Sequence, residues 1–294
     1  VISAIVPTWR GAERLARNLA SVARSLQAAG EPWEILVVDD GGGALGALPD
    51  GARAVVLSEN RGYGPAVNAG ARQARGELLL VLNDDAALEE TAVARLRRHF
   101  PEPGLFAVVP SILSRLAACG DEAGKRGVFA AGLVELLECP SGRPQPTLYP
   151  VGCCFLCPRS LFLELGGYDE LFAPFFWEDA DLGYRAWRRG FRLLHDPEAI
   201  CRHEGSATLG ERYREAERER VFFRNRVLFH LRNLQDRRWR VENLGALAAF
   251  AMFEARAERI DGLRDALARF SRCGARAREG RSDAEILAAA CGEP

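Results

Sequence analysis

The feature that most limits the fold of this chain is Leu78-Leu79-Leu80-Val81-Leu82, five aliphatic residues running straight into Asn83-Asp84-Asp85. A half-solvated strand alternates apolar and polar residues. A continuous run suits a strand buried on both faces, as in parallel sheets covered by helices. The two carboxylates then fall at the C-terminal edge of the sheet, where open α/β folds bind ligands. Adjacent ionised acids repel, so both stay charged there only against a cation or a set of donors. A divalent ion shared with a phosphate meets that need, because hard cations take carboxylate and phosphate oxygens together. The plain alternative is a solvated turn, for which Asn-Asp is ordinary chemistry.

The flanking sequence repeats the pattern. Residues 2–6 form an apolar run closed by Pro7-Thr8, and Leu15, Leu19, Val22 and Leu26 follow at helical spacing up to Gly30. Residues 34–38 read as a second strand, ending in Asp39-Asp40 and Gly41-Gly42-Gly43, and 52–57 as a third. The loop Asn60-Arg61-Gly62-Tyr63-Gly64 leads into a helix over 65–75. Strands and helices alternating across short links spell βαβ units and a parallel sheet. Further on, the pattern predicts a helix over 88–99, strands over 107–109 and 151–157, helices over 158–165 and 178–190, and a strand over 191–195. Residues 114–150 break it with Gly120, Gly124, Gly127 and Gly132 and a proline-rich end, and read as a long, partly ordered excursion on the binding side of the sheet. From Arg212 onward the chain reads as helical and charged, with one apolar segment over 244–253.

Composition narrows the function. A net charge of -1 argues against nucleic acid as the main partner, since gripping a phosphate backbone takes a basic excess. Apolar runs are too short to span a bilayer. The eight cysteines have no repeating spacing, so free thiols in a reducing compartment are expected. Positive charge is nearly all arginine; Lys125 is the only lysine.

Asp39, Asp40, Asp84 and Asp85 fall at the ends of successive strands, as a nucleotide-diphosphate site requires. One carboxylate can accept from a pyrimidine N–H or ribose hydroxyls, and another can hold the metal that neutralises the pyrophosphate. Arg61 either adds a fork of donors or is a surface arginine. Glu178, Asp179 and Asp181 open a helix, where acids complement the macrodipole by about 0.3–1 kcal/mol each. Phe175, Phe176 and Trp177 just before them offer a sugar platform, beside which one carboxylate can take a proton from an attacking hydroxyl. His203, in a polar loop with Glu204, Gly205 and Ser206, is either a metal ligand or a solvated histidine. Cys154 and Cys157 have metal-site spacing but sit in an apolar run with no second pair, and read as core. His99, His195 and His230 are assigned no role.

With these residues in hand, the chain resembles family 2 glycosyltransferases of the GT-A fold, and is most similar to bacterial rhamnosyltransferase-like members. The resemblance rests on Val6-Pro7-Thr8, Val37-Val38-Asp39-Asp40, Asn60-Arg61-Gly62-Tyr63, Leu82-Asn83-Asp84-Asp85, Gly166-Gly167-Tyr168-Asp169, Trp177-Glu178-Asp179-Ala180-Asp181-Leu182 and His203-Glu204-Gly205-Ser206, in that order over residues 1–206. It implies an α/β, Rossmann-like, mixed and mostly parallel sheet flanked by helices, with a helical C-terminal extension. The expected division is a catalytic domain over 1–206 (nucleotide-sugar half 1–110, acceptor half 111–206) and a helical region over 207–294. The implied reaction is inverting, metal-dependent transfer of a sugar from a UDP- or dTDP-sugar to a hydroxyl acceptor, saccharide or lipid-linked, in cell-surface polysaccharide or glycolipid synthesis. Pro7, Thr8, Asp39, Asp40, Arg61 and Asp84 would bind the donor nucleotide. Asp85 and His203 would hold Mn²⁺ or Mg²⁺, Asp179 would be the catalytic base, and Trp177, Glu178 and Gly152 would meet the acceptor. The sequence departs from the family at Gly41-Gly42-Gly43, where many members carry Ser or Asn, and at Arg202, where many carry a second histidine. A sugar nucleotidyltransferase is the alternative in the same fold class, but Trp9-Arg10-Gly11 is a poor substitute for its phosphate loop; a non-catalytic sugar- or nucleotide-binding module is the third reading. The expected location is cytoplasmic, either free or at the inner face of the cell membrane. Arg237-Arg238-Trp239-Arg240 ahead of 244–253 reads either as an interfacial helix, giving peripheral membrane contact through 237–260, or as a helix packed on the catalytic domain.

Overall fold

The computed structural model describes residues 1–43, 45–114, 120–204 and 213–292. The apolar runs become the strands they predict. β1 (Ile2–Thr8), β2 (Trp33–Asp39), β3 (Ala52–Val56) and β4 (Leu78–Leu82) lie parallel in the order β3-β2-β1-β4. Every residue of β1 and β4 is buried, which is why neither alternates. α1 (Ala12–Ala28) links β1 to β2 and α2 (Tyr63–Gln73) links β3 to β4. The two crossovers step in opposite directions along the sheet, so right-handed connections set their helices on opposite faces.

Beyond β4 the sheet turns mixed. β10 (Cys154–Pro158) runs antiparallel between β4 and β6 (Leu105–Leu113), and β11 (Arg192–His203) follows parallel to β6. Short β5 (Ala86–Leu88) and β9 (Gln145–Pro146) pair antiparallel with β11. The helix predicted over 88–99 is shorter: β5 takes its first residue, and α3 spans Ala92–Arg97. Cys154 and Cys157 are fully buried in β10, as core residues.

One expectation gains detail and one is corrected. Within 114–150, β7 (Lys125–Ala130) and β8 (Leu133–Glu138) form an ordered hairpin, turning through Ala131 and Gly132 at φ 50° and 80°. Positive φ at both central residues matches the twist of the flanking strands. His203 is not in a loop; it is the last residue of β11 and pairs with Ala86. The strand survives Pro197 because its register shifts between Asp196 and Ile200, so the missing N–H falls where the ladder is already broken. Gly205 and Ser206 of the same motif lie outside the described residues.

The remaining helices are α4 (Arg159–Glu164), α5 (Glu178–Arg188), α6 (Glu215–Asn233), α7 (Arg237–Phe253), α8 (Ala257–Cys273) and α9 (Asp283–Ala290). Buried ion pairs tie α5 to this C-terminal set. Asp181 accepts from Arg185 at 2.7 Å, Asn233 at 2.8 Å and Arg276 at 3.1 Å. Asp169 accepts from Arg232 at 2.9 Å and Arg276 at 2.7 Å. Burial alone would raise the Asp181 carboxyl, but Arg185 and Arg276 hold it below the usual carboxylate range. No helix among the described residues is long and apolar enough to cross a membrane.

Candidate active site

Because the two crossovers diverge, the loops after β1 and β4 part and leave a crevice at the C-terminal edge of the sheet. Thr8 donates its hydroxyl to Asp84 at 2.6 Å across that crevice, and Arg14 Nε stands 3.6 Å from the same carboxylate. Gly11 makes room: a Cβ there would lie 2.1 Å from Asp84 Oδ2. Burial raises the Asp84 carboxyl to about 6, against the opposing pull of Thr8 and Arg14.

Asp85 points to the far side of the crevice. Its Oδ1 lies 3.2 Å from His203 Nε2, brought there by the pairing of β11 with β5, and His203 Nδ1 lies 3.2 Å from Glu122. Burial pulls the imidazole down, but hydrogen bonds to Asp85 and Glu122 outweigh it and hold His203 up at about 10.

The first acid pair is differently employed. Asp39 accepts from the N–H of Gly42 at 2.7 Å and Gly43 at 3.2 Å, closing its own loop. Asp40 accepts from the N–H of Arg61 at 2.7 Å and Gly62 at 2.8 Å, fixing the loop ahead of α2. Gly62 sits at φ 96°, and a Cβ there would fall 2.6 Å from the backbone of Pro174. The Arg61 guanidinium turns outward to Glu170 at 2.6 Å.

The opposite wall is the start of α5. Phe176 and Trp177 have φ 72° and 70°, strained values for bulky residues at about 1–3 kcal/mol each. Asn225 of α6 offsets that cost by donating to the carbonyls of Phe172, Phe175 and Phe176 at 2.5, 2.8 and 2.8 Å. The strained pair delivers Glu178 and Asp179 to the crevice. Asp179 accepts from the N–H of Ala180 at 2.7 Å and of Gly152 at 3.4 Å. Burial raises both acids, and the neighbouring Asp179 charge helps bring Glu178 to about 8. Asp181, two residues on, belongs to the ion-pair network and not to the crevice.

One cavity of about 390 Å³ joins these groups. Pro7, Thr8, Asp40, Asp84, Asp85 and His203 border one part of it, and Gly152, Trp177, Glu178 and Asp179 another. A family model described as Glycosyl transferase family 2 matches residues 3–166.

The chain belongs to glycosyl transferase family 2.

The family 2 assignment agrees with individual relatives. The chain is 27% identical over 194 residues to a pre-mycofactocin glycosyltransferase of Mycobacterium tuberculosis, a match covering 64% of this chain and 41% of that protein. It therefore spans about two-fifths of that relative's length. It is 30% identical over 104 residues to an undecaprenyl-phosphate 4-deoxy-4-formamido-L-arabinose transferase of Pectobacterium atrosepticum, with 32% of each chain covered. Solved structures agree on the GT-A fold. GalNAc-T7 with UDP, GalNAc and Mn²⁺ superposes with TM-score 0.65 at 17% identity, covering 93% of this chain and 56% of that one. S. aureus TarS 1-349 with UDP-GlcNAc gives 0.58 at 16% identity, covering 92% and 80%.

Of the residues that the family 2 resemblance points to, Asp39 and Arg61 do not border the cavity; the others do. The fold also brings in residues that the sequence reading gave no role. Tyr63 donates to the Gly152 carbonyl, Glu122 backs His203, and Tyr149, Tyr213 and Phe222 complete the walls. The adjacent acids Asp121-Glu122, inside the irregular stretch 114–150, are the sequence signal for Glu122.

The residues around Asp85 fit a hard divalent cation. A carboxylate oxygen and an imidazole nitrogen meet at the cavity wall, with Glu122 orienting the ring from behind, as outer carboxylates do for ligating histidines. Among the described residues, no group of three or more side chains is arranged to hold an ion unaided. Ligand oxygens would have to complete the shell, the mode in which Mg²⁺ binds through one or two carboxylates plus phosphates.

Proposed function

We propose that this chain is an inverting glycosyltransferase that moves a sugar from a pyrimidine nucleoside-diphosphate sugar to a hydroxyl acceptor. The observation that carries the reading is the shared cavity: Asp40 after β2 and Asp84-Asp85 after β4 line it together with a second acid pair, Glu178-Asp179, seated on an aromatic wall. The neighbouring GalNAc-T7 and TarS structures hold UDP and UDP-GlcNAc, which supports a nucleotide-sugar donor as a class. Pro7, Thr8, Asp40 and Asp84 would receive the nucleoside, with Asp39 holding its loop. Arg61 would act through its backbone, which orders the loop against Asp40. Asp85 and His203 would hold Mn²⁺ or Mg²⁺; when bound, the ion offsets the charge of the departing diphosphate. His203 ligates only as neutral imidazole, so its proton would be exchanged for the ion.

Asp179 would take the proton from the acceptor hydroxyl as that oxygen attacks the anomeric carbon from the face opposite the diphosphate. The new glycosidic bond forms as the bond to the diphosphate breaks, which inverts the centre in a single displacement. Burial raises the Asp179 carboxyl, bringing its basicity closer to what proton removal near neutral pH requires. Burial, with the Asp179 charge beside it, raises Glu178, which would favour its protonated form and spare the base a second negative charge. Glu178 Oε2 and Trp177 Nε1 are buried without hydrogen-bond partners among the described residues, and acceptor hydroxyls would satisfy them. A saccharide or lipid-linked acceptor in cell-surface polysaccharide or glycolipid synthesis suits this wall and the name of the Pectobacterium relative.

Calorimetric titration with UDP, dTDP and GDP, each with and without Mn²⁺, tests the reading. Metal-dependent binding of one pyrimidine diphosphate is expected. No binding of any of them to well-folded protein would replace the transferase with a degenerate binding module.

A further inference from the structure

We propose that the outward face of α7 docks on an anionic lipid surface. The helix has two opposed faces. Trp239, Asn243, Leu247 and Phe250 turn inward: Trp239 stacks on Phe129 of the hairpin at 4.1 Å, Asn243 donates to the Gly132 carbonyl at 2.8 Å, and Phe250 stacks on Phe223 of α6 at 4.3 Å. Packing on the protein is thus satisfied on one side only. On the other side Val241, Leu244 and Met252 are 70%, 57% and 69% exposed, and Phe253 at the helix end is 82% exposed. Val241, Leu244, Ala248 and Met252 recur at the three- and four-residue spacing that aligns side chains along one helix face. Large apolar side chains contiguous on a surface mark a site of contact.

Charge selects the occupant. The first turn of α7 carries Arg237, Arg238 and Arg240 and no acid, although cations at a helix N-terminus oppose the macrodipole. Arg238 is spent on Glu242 at 2.8 Å, and Asp236 is held as the helix cap by accepting from the Arg238 N–H at 3.1 Å. Glu254, at the far end, is taken by Arg256 and Arg259, each at 3.4 Å. Arg237 and Arg240 form no ion pair among the described residues, and both are exposed. An exposed apolar stripe beginning in uncompensated arginines is complementary to lipid headgroups over acyl chains: the guanidiniums meet phosphates while the apolar residues enter the interface. A second protein copy would bury the same arginines against each other or leave them idle at the rim.

The placement has a use. α7 rests on the hairpin whose Leu136 borders the cavity, and its partner α6 supplies Phe222 to the same wall. Docking through α7 would therefore place the lipid one helix away from the hairpin and α6, which both line the cavity. The binding itself does not depend on the transferase reading, since it is measured without donor or turnover.

The test is flotation of the full chain with vesicles of phosphatidylglycerol and phosphatidylcholine, against vesicles of phosphatidylcholine alone. Co-flotation with the anionic vesicles at low salt, lost at high salt, is expected. Arg237→Gln with Arg240→Gln should weaken partitioning by roughly tenfold or more. Leu244→Glu with Met252→Glu should abolish it, while thermal melting stays at the wild-type value because these side chains are exposed. Absence of flotation at low salt overturns the proposal. So does a dimer in sedimentation equilibrium that Leu244→Glu dissociates, because the face would then be covered by a second copy.

Discussion

The side-chain amide of Asn225 and the backbone carbonyl of Phe176 stand 2.8 Å apart, and through this bond α6 holds the strained turn that delivers Glu178 and Asp179. The same amide reaches Phe172 and Phe175, and Arg224 adds a bond to Ala173 at 2.6 Å. Asn225 is fully buried, so no water stands ready to replace it. Asn225→Ala should cost about 3 kcal/mol of stability, the penalty for leaving buried carbonyls unpaired. If Asn225 positions the acid pair, the variant should also lose more than about tenfold in kcat with donor affinity nearly unchanged. Equal loss of both, in a variant still folded by circular dichroism, would reduce Asn225 to a fold residue.

Asp179→Asn keeps the shape of the α5 start and removes its basicity. Transfer should fall by about a thousandfold, within the range of general-base contributions, while nucleotide binding changes by less than about threefold. Turnover assays beside calorimetry check this; surviving transfer would give the base role to another group.

Asp85→Ala should remove the metal dependence of nucleotide binding. Titrating UDP with and without Mn²⁺ should show the two affinities converge in the variant, where the wild type separates them by about tenfold or more. Persistent separation would place the ion elsewhere.

His230 predicts how stability responds to pH. It donates from Nδ1 to the Arg226 carbonyl at 2.6 Å and accepts at Nε2 from the Val134 N–H at 2.7 Å, an arrangement only the neutral ring can make. Burial, aided by the Arg226 charge, lowers its pKa from 6.5 to about 4. The unfolded chain therefore binds this proton first as pH falls, so stability is complete above about 6.5 and is lost between there and 4. At pH 5 the loss should reach about 2 kcal/mol relative to pH 7. Urea unfolding at both pH values, compared with His230→Gln, checks it; equal slopes in the two proteins would remove the assignment.

How much of this was written in the sequence depends on the range of the interaction. Leu78 to Leu82 announced a doubly buried strand because burial on both faces is a local requirement, and the acids after it marked the sheet edge. The hairpin 125–138 was hidden because Ala131 occupies a turn position that Asn or Asp usually signals; Gly132 between apolar runs was the remaining clue. His203 read as a loop residue because Pro197 argues against a strand, and only the register shift beside β6 reconciles the two. Separating Asp181 from Glu178 and Asp179 required Arg276, nearly a hundred residues away, which no local pattern could supply. Asn225 was unreadable for the same reason.

Lys125, the only lysine of the 294 residues, opens the hairpin and pairs with Glu138 at 3.4 Å. Its charge acts on both Glu122 and Asp179, favouring their ionised forms. Amine-directed chemistry consequently has a single lysine side chain to find, on the strand paired with the one whose Leu136 borders the cavity. A fluorophore or photocrosslinker coupled there needs no engineered cysteine and would sit on the hairpin that supplies Leu136 to the cavity.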